Sequence, residues 1–252
     1  MENGDSEQFL NDKLLTAPEL CIAKKMNFTA FALGFALGIR HAFDPDHLVA
    51  VSTIVSRHSS VVRSSIAGAL WGVGHTTSLL ICGTIVLTLR LSIPEGFVTV
   101  AEKAVAVMLL LLGINALWRA IRNSGLHAHV HTHDGQRHIH FHLHATGSNA
   151  VHDHHHAYAI GFRSFLIGMV HGLAGTGALM ILVIAAAPSF LAGSFYILIF
   201  GLGSIAGMLV LSSAISIPFI VSARCFQAFN SGLQFVTALA SIGLGLFWIS
   251  TV

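Results

Sequence analysis

The sequence predicts an all-α, polytopic membrane protein: six transmembrane helices arranged as two inverted three-helix repeats, with the first helix broken near its middle. Three observations predict it. Hydrophobic residues make up 54% of the 252 residues and charged residues 10%, with a mean hydropathy of +0.75. A soluble domain carries about 25% charged residues and has too little interior to hide so much apolar surface. Six apolar stretches are each long enough for a bilayer core, which takes about 20 residues. Short motifs recur between the two halves of the chain in near-constant register. The composition excludes a cytosolic enzyme, a secreted disulfide scaffold and a nucleic-acid binder. Cys21, Cys82 and Cys225 are odd in number and widely spaced, so they imply neither a disulfide framework nor a thiolate zinc site.

Residues 1–26 are polar and mixed in charge. They lack the basic region and short apolar core of a signal peptide, so no cleavage is expected. The spans are expected at 27–56, 65–89, 98–118, 160–187, 193–220 and 229–251. Short links separate them, with Pro94 and Pro188 as punctuation. Residues 119–159 form one long loop between a first repeat, 27–118, and a second, 160–252.

The repeat rests on three matches. Leu37-Gly38-Ile39-Arg40-His41 matches Ile167-Gly168-Met169-Val170-His171 at an offset of 130 residues. Trp71-Gly72-Val73-Gly74 matches Phe200-Gly201-Leu202-Gly203 at 129, and Gly113 and Trp118 match Gly243 and Trp248 at 130. Three spans per half force the halves into opposite orientations. That is the architecture of transporters whose site lies near the bilayer midplane, at the repeat interface.

Gly38-Ile-Arg-His-Ala-Phe-Asp-Pro-Asp-His47 lies inside the first span, between apolar flanks. A charged Asp or Arg at a helix centre costs about 2.5–3.5 kcal/mol on the insertion scale, so Arg40, Asp44 and Asp46 must pair or face a polar cavity. On a continuous helix His41, Asp44 and His47 fall within an arc of about 120°, while Asp46 points elsewhere. Pro45 disfavours helix at Asp44, which could then cap a restarted helix with Pro45 as its first residue. In either geometry imidazoles and carboxylates converge. Such an N/O donor set suits Ni²⁺, Co²⁺, Zn²⁺ or Mn²⁺ and lacks the soft sulfur that favours Cu⁺. Two further histidines lie within spans: His75, in a Gly- and Thr-rich stretch, and His171, at the repeat position of His41. Asn115 is a weaker intramembrane polar candidate.

Arg40-His-Ala-Phe-Asp-Pro-Asp-His47 resembles the His-x4-Asp-His signature of the nickel/cobalt transporter family, as His41, Asp46 and His47. Gly74-His75-Thr76 resembles that family's next element. Gly168-Met-Val-His-Gly-Leu-Ala-Gly175 and the repeated spans resemble its short, six-span, urease-accessory-type nickel permeases. The resemblance runs from about Asn27 to the end, excluding the loop. It implies a secondary transporter with Ni²⁺ or Co²⁺ as transported substrate rather than bound cofactor, in a cell membrane. His41, Asp46 and His47 would handle the metal, and urease or other nickel-enzyme maturation proteins would be partners. It favours uptake over efflux. The chain departs from longer members, which have eight spans and acidic motifs in the second half; here the last three spans contain no Asp or Glu.

Twelve of the 17 histidines lie in the loop: His127, His129, His131, His133, His138, His140, His142, His144, His152, His154, His155 and His156. His-rich tracts bind borderline metals. No fixed tetrahedral spacing occurs, so several weak, exchanging sites are expected on a flexible segment. Seven basic residues (Arg57, Arg63, Arg119, Arg122, Arg137, Arg163, Arg224) lie on the side of this loop. Five lie opposite: Lys13, Lys24, Lys25, Arg90 and Lys103. The excess leans toward a cytoplasmic loop.

Two other classes compete with a carrier. A membrane-embedded His-box metalloenzyme would need matched boxes or His-Glu-x-x-His, and the sequence has neither. A metal sensor that binds without transporting would be separated from a carrier by transport into sealed vesicles.

Overall fold

The fold comes from a computed structural model, which describes residues 17–89, 93–123, 126–133, 136–143, 156–175 and 189–252. Seven helices are found among these residues: α1 (Ala17–His41), α2 (Pro45–Val55), α3 (Val61–Leu89), α4 (Glu95–Asn123), α5 (His156–Ala174), α6 (Phe190–Cys225) and α7 (Gln227–Thr251). Four of them, α3, α4, α6 and α7, are long and apolar enough to cross a bilayer. Leu33, Val62, Val100, Leu111 and Phe247 are exposed on the outside of the bundle, as lipid-facing side chains must be.

The helices outrun the expected spans. α1 begins ten residues before the expected start at 27. α6 runs for 36 residues, or about 54 Å at 1.5 Å per residue. That exceeds a hydrocarbon core of about 30 Å, so α6 tilts or projects beyond it. Ser189 opens α6 as its N-cap, its side chain accepting a hydrogen bond from the Ala192 N–H at 3.3 Å. The fourth expected span, 160–187, is described only through α5 and Gly175; the rest lies outside the described residues. Expectations for residues 1–16 and the loop residues 144–155, His144, His152, His154 and His155 among them, lie outside as well.

The first span is broken where Pro45 falls. The chain tightens at the end of α1, with the Phe43 and Asp44 N–H groups bonded to the Arg40 and His41 carbonyls at 2.9 and 3.1 Å. Asp44 is extended (φ −62°, ψ 148°), the geometry that a following proline favours. Pro45 is the first residue of α2, where its missing N–H costs nothing. The resulting short helix lies at the centre of the molecule. Its Ala50, Val51 and Val55 are buried with Trp71 of α3, Val105 and Leu109 of α4, and Met208, Leu211 and Phe219 of α6.

Backbones meet at glycines around this helix. A Cβ on Gly38 would collide with the Phe200 carbonyl, so α1 and α6 touch backbone to backbone. A Cβ on Gly168 would collide with the Trp71 carbonyl, tying α5 to α3. Gly203 meets Phe35 and Ile39 in the same way, and Gly74 meets Phe165 and Met169. Further along, Gly113 of α4 abuts Ala238 and Ile242 of α7, while Gly245 of α7 abuts Ala106 and Leu110 of α4. Close approach at small residues is how membrane helices associate without a hydrophobic driving force between them. Hydroxyls add cross-links: Thr76 Oγ1 donates to the Gly201 carbonyl at 3.2 Å, Ser78 Oγ to Met169 at 2.7 Å and Ser241 Oγ to Leu109 at 2.8 Å.

The segment expected as a flexible loop contains regular structure. α4 continues to Asn123, and two antiparallel strands follow: β1 (Leu126–His133) and β2 (Gln136–Leu143). Their register sets His127 opposite His142, His129 opposite His140, and His131 opposite His138.

Candidate metal centre

The break in the first span places the charged residues. On a continuous helix Asp46 would have turned away from His41 and His47. With α2 restarted at Pro45, Asp46 Oδ1 lies 3.3 Å from His47 Nδ1, and Asp46 Oδ2 accepts a hydrogen bond from His171 Nε2 at 2.7 Å. Asp44, which the helical arc placed between the two histidines, caps α2 by position only. Its side chain makes no cap hydrogen bond and holds His41 Nδ1 at 2.7 Å. That contact leaves His41 Nε2 as the free ring nitrogen, the arrangement by which a carboxylate orients a metal-binding imidazole from behind.

The four histidines expected within spans converge. The His41 and His47 ring centroids are 4.6 Å apart, His41 and His75 5.2 Å, His47 and His75 5.4 Å, and His47 and His171 4.2 Å. His41 ends α1, His47 lies in the first turns of α2, His75 in α3 and His171 in α5. Gly74 precedes His75 and Gly172 follows His171. A Cβ on Gly172 would press on the His75 carbonyl, so the glycines draw these two histidines together. His58, which no sequence expectation named, stands apart after α2, its ring Nδ1 3.3 Å from Ser64 Oγ. Burial and the charges of Arg57 and Arg63 hold its pKa below the ordinary imidazole value.

The cluster fits a metal in donor chemistry and in what it leaves unpaired. Two sets of three donors have ligand atoms within 4.8 Å of one another: His41, His47 and His75, and Asp46, His47 and His171. Both ring nitrogens of His47, both of His75 and Nδ1 of His171 are buried and make no hydrogen bond to the protein. An unsatisfied buried polar group costs about 1–3 kcal/mol. Five of them in one place are tolerable when a ligand satisfies them. Imidazole and carboxylate together suit borderline divalent cations.

Residues outside the sequence expectation also line the cluster. The buried Trp71 ring lies 5.6 Å from His47 and 5.5 Å from His171, with its indole N–H unpaired. Phe200 lies 5.5 Å from His41. Trp71 and Phe200 open the two short motifs that match at an offset of 129 residues, which was the one signal the sequence held for them. Gly175 faces His75 and His41 at ordinary van der Waals distance. Asn115 is exposed on α4 and accepts a hydrogen bond from Arg119 Nε at 3.1 Å, away from the cluster.

Comparison with known proteins agrees with this chemistry. Residues 27–250 match the NicO family model, described as high-affinity nickel-transport protein. The urease accessory protein UreH of Bacillus sp. (strain TB-90) is 36% identical over 217 residues, covering 86% of this chain and 89% of that protein. Two Arabidopsis thaliana proteins, chloroplast proteins FOR GROWTH AND FERTILITY 1 and 2, are 30% and 29% identical over 89% and 84% of this chain. The chain spans 60% and 54% of their lengths. No solved structure matches. With nearly its whole length matched to one family model, the chain belongs to the NicO family of high-affinity nickel-transport proteins.

Proposed function

We propose that this chain imports Ni²⁺ through the His41–Asp46–His47–His75–His171 cluster, as a multi-pass protein of the cell membrane that also accepts Co²⁺. The observation that carries this reading is the convergence of four buried or half-buried imidazoles and one carboxylate around a broken helix, with five buried ring nitrogens unpaired. Ni²⁺ sheds water, takes these donors in its place, and leaves on the other side. Few ligands serve better than a closed cage, because a cage would trap the ion. Imidazoles and carboxylates must be deprotonated to bind, so protons compete with the metal.

The carrier reading includes six spans in two inverted halves. It is supported by pairs of contacts that exchange places at the repeat offset. Gly38 against Phe200 is the counterpart of Gly168 against Trp71, and Gly203 against Phe35 that of Gly74 against Phe165. Gly72 against Ile205 likewise corresponds to Gly201 against Thr76. Two halves that pack on each other alike can rock about the metal between them, as alternating access requires.

The His-rich segment collects metal weakly on the cytoplasmic side, and delivery to nickel-enzyme maturation proteins such as those of urease follows from the similarity to UreH. The test is accumulation of radiolabelled Ni²⁺ at sub-micromolar external metal, in cells carrying the wild type or His47→Ala at equal membrane levels. More metal with the wild type supports import through this site. Less metal reverses the direction, and equal metal in both and in empty cells removes nickel as the substrate.

A further inference from the structure

We propose that the centre is two adjacent metal stations sharing His47: an all-imidazole station of His41, His47 and His75, and a mixed station of Asp46, His47 and His171. The ion passes from one to the other through the shared ring. This deepens the carrier reading and rests on it for its functional meaning, although the two stations are a matter of binding and can be tested without transport.

The donors divide sharply. His41 and His75 belong to one set, Asp46 and His171 to the other, and His47 alone belongs to both. Ligand atoms of one ion lie at most about 4.2 Å apart at metal–nitrogen bonds of about 2.0–2.1 Å, and neither His41 nor His75 is grouped within 4.8 Å of all three donors of the mixed station. His75 and His171, from different sets, have ring centroids 6.1 Å apart, against 4.2 Å for His47 and His171 and 4.6 Å for His47 and His41.

An imidazole carries nitrogens on two edges of its ring. In His47 both are buried and free of hydrogen bonds. Nδ1 lies 3.3 Å from Asp46 Oδ1, on the side of the mixed station. A neutral imidazole has only one proton-free nitrogen at a time, so the His47 ring serves one position or the other, with its proton on the opposite nitrogen.

The stations differ in charge and in access. The first has three neutral donors, with its carboxylate, Asp44, one bond behind His41. The second has a carboxylate among its donors, which offsets the charge of a divalent cation. At the first station the His41 side chain is 23% exposed and its carboxylate Asp44 46%, while His75 and the shared His47 are 0% exposed; His171 and Asp46 of the second are 2% and 13% exposed. An ion moving from the first to the second leaves the partly exposed His41 and gains a charged ligand. Because the His47 ring borders both positions, the ion exchanges ligands between adjacent sites rather than being released bare into the bundle.

The test is coupling between paired variants, read as Ni²⁺ affinity of the full chain in lipid nanodiscs by equilibrium dialysis. Each variant is first checked for wild-type helical circular dichroism, with His58→Gln as the unaffected control. In His41→Gln/His75→Gln both changes fall on one station, so affinity stays within about threefold of either single variant, because the mixed station still binds. In His75→Gln/His171→Gln each change falls on a different station, so affinity drops at least about tenfold further. X-ray absorption of bound Ni²⁺ then shows imidazole ligands without carboxylate in His171→Gln, and a mixed set in His75→Gln. Equal losses in the two double variants, or the same ligand set in the two single variants, would mean one undivided centre and overturn the proposal. Absence of Ni²⁺ transport by wild-type vesicles, with this coupling intact, would sink the carrier reading and leave the two stations standing.

Discussion

His171 and Asp46 are 125 residues apart in sequence, yet His171 Nε2 lies 2.7 Å from Asp46 Oδ2, joining the two halves of the chain at the centre of the bundle. Asp44 makes the same kind of bond to His41, but within three residues and at a half-exposed position.

The two carboxylates are therefore expected to differ on substitution. Asp46→Asn removes a donor that also orients His47 and His171, and is expected to lower Ni²⁺ transport by about 100-fold or more. Asp44→Asn touches the metal only through the orientation of His41, for which the expected loss is about 10-fold, the low end for a partner behind a ligand. Initial rates of radiolabelled Ni²⁺ uptake in vesicles check the order; an equal loss in both would place Asp44 among the ligands themselves.

Glycine contacts give a prediction about stability. Alanine at Gly38 or Gly168 sets a methyl group against the backbone of α6 or α3, where nothing flexible can give way. Overpacking of this kind costs about 1–3 kcal/mol. Gly243 has no neighbour within 4 Å of an added Cβ, so Gly243→Ala is expected to leave stability unchanged or slightly raised through helix propensity. Thermal unfolding of the detergent-solubilised protein should rank Gly243→Ala with the wild type and well above the other two.

The sequence carried the break in the first span, because a proline after an aspartate inside an apolar run has few other meanings. His171 was legible as well, since the repeat set it at the position of His41. The choice between Asp44 and Asp46 was not legible from helical periodicity. That periodicity assumes one axis, whereas the chain changes axis at Pro45, and only the family signature pointed to Asp46. Trp71 and Phe200 look like ordinary core aromatics until the helices that bring them to the imidazoles are packed. The strands over 126–143 were hidden by composition. Histidine tracts read as solvated linker, although the alternation of His with Val, Ile, Phe and Leu there has the period of a strand.

The expected side of the His-rich segment can be checked chemically. The side of the chain bearing residues 119–159 carries the larger number of basic residues, so a cytoplasmic position is expected. Gly135→Cys, in a chain whose Cys21, Cys82 and Cys225 are replaced by serine, should resist an impermeant thiol reagent in intact cells and react after permeabilisation. Reaction in intact cells would place the histidines outside and turn their proposed role from receiving metal to gathering it.

The hairpin adds a prediction about how those histidines bind. Directly opposed residues of an antiparallel pair have Cβ atoms about 4.5–5.5 Å apart, close enough for two imidazoles to share an ion. The register sets His127 opposite His142, His129 opposite His140, and His131 opposite His138. An isolated two-stranded ribbon is marginally stable in water, and metal bound across it adds stability through linkage. Full-length protein with these six histidines changed to serine should bind fewer Ni²⁺ ions at micromolar metal while keeping its tightest site. The ions lost should be those released as pH falls through about 6.5, where free imidazole takes up a proton and ceases to be a ligand. Changing both members of one opposed pair should cost no more ions than changing one. Changing one member from each of two pairs should cost twice as many, and equal losses in the two cases would show that the histidines act as independent ligands on a linker.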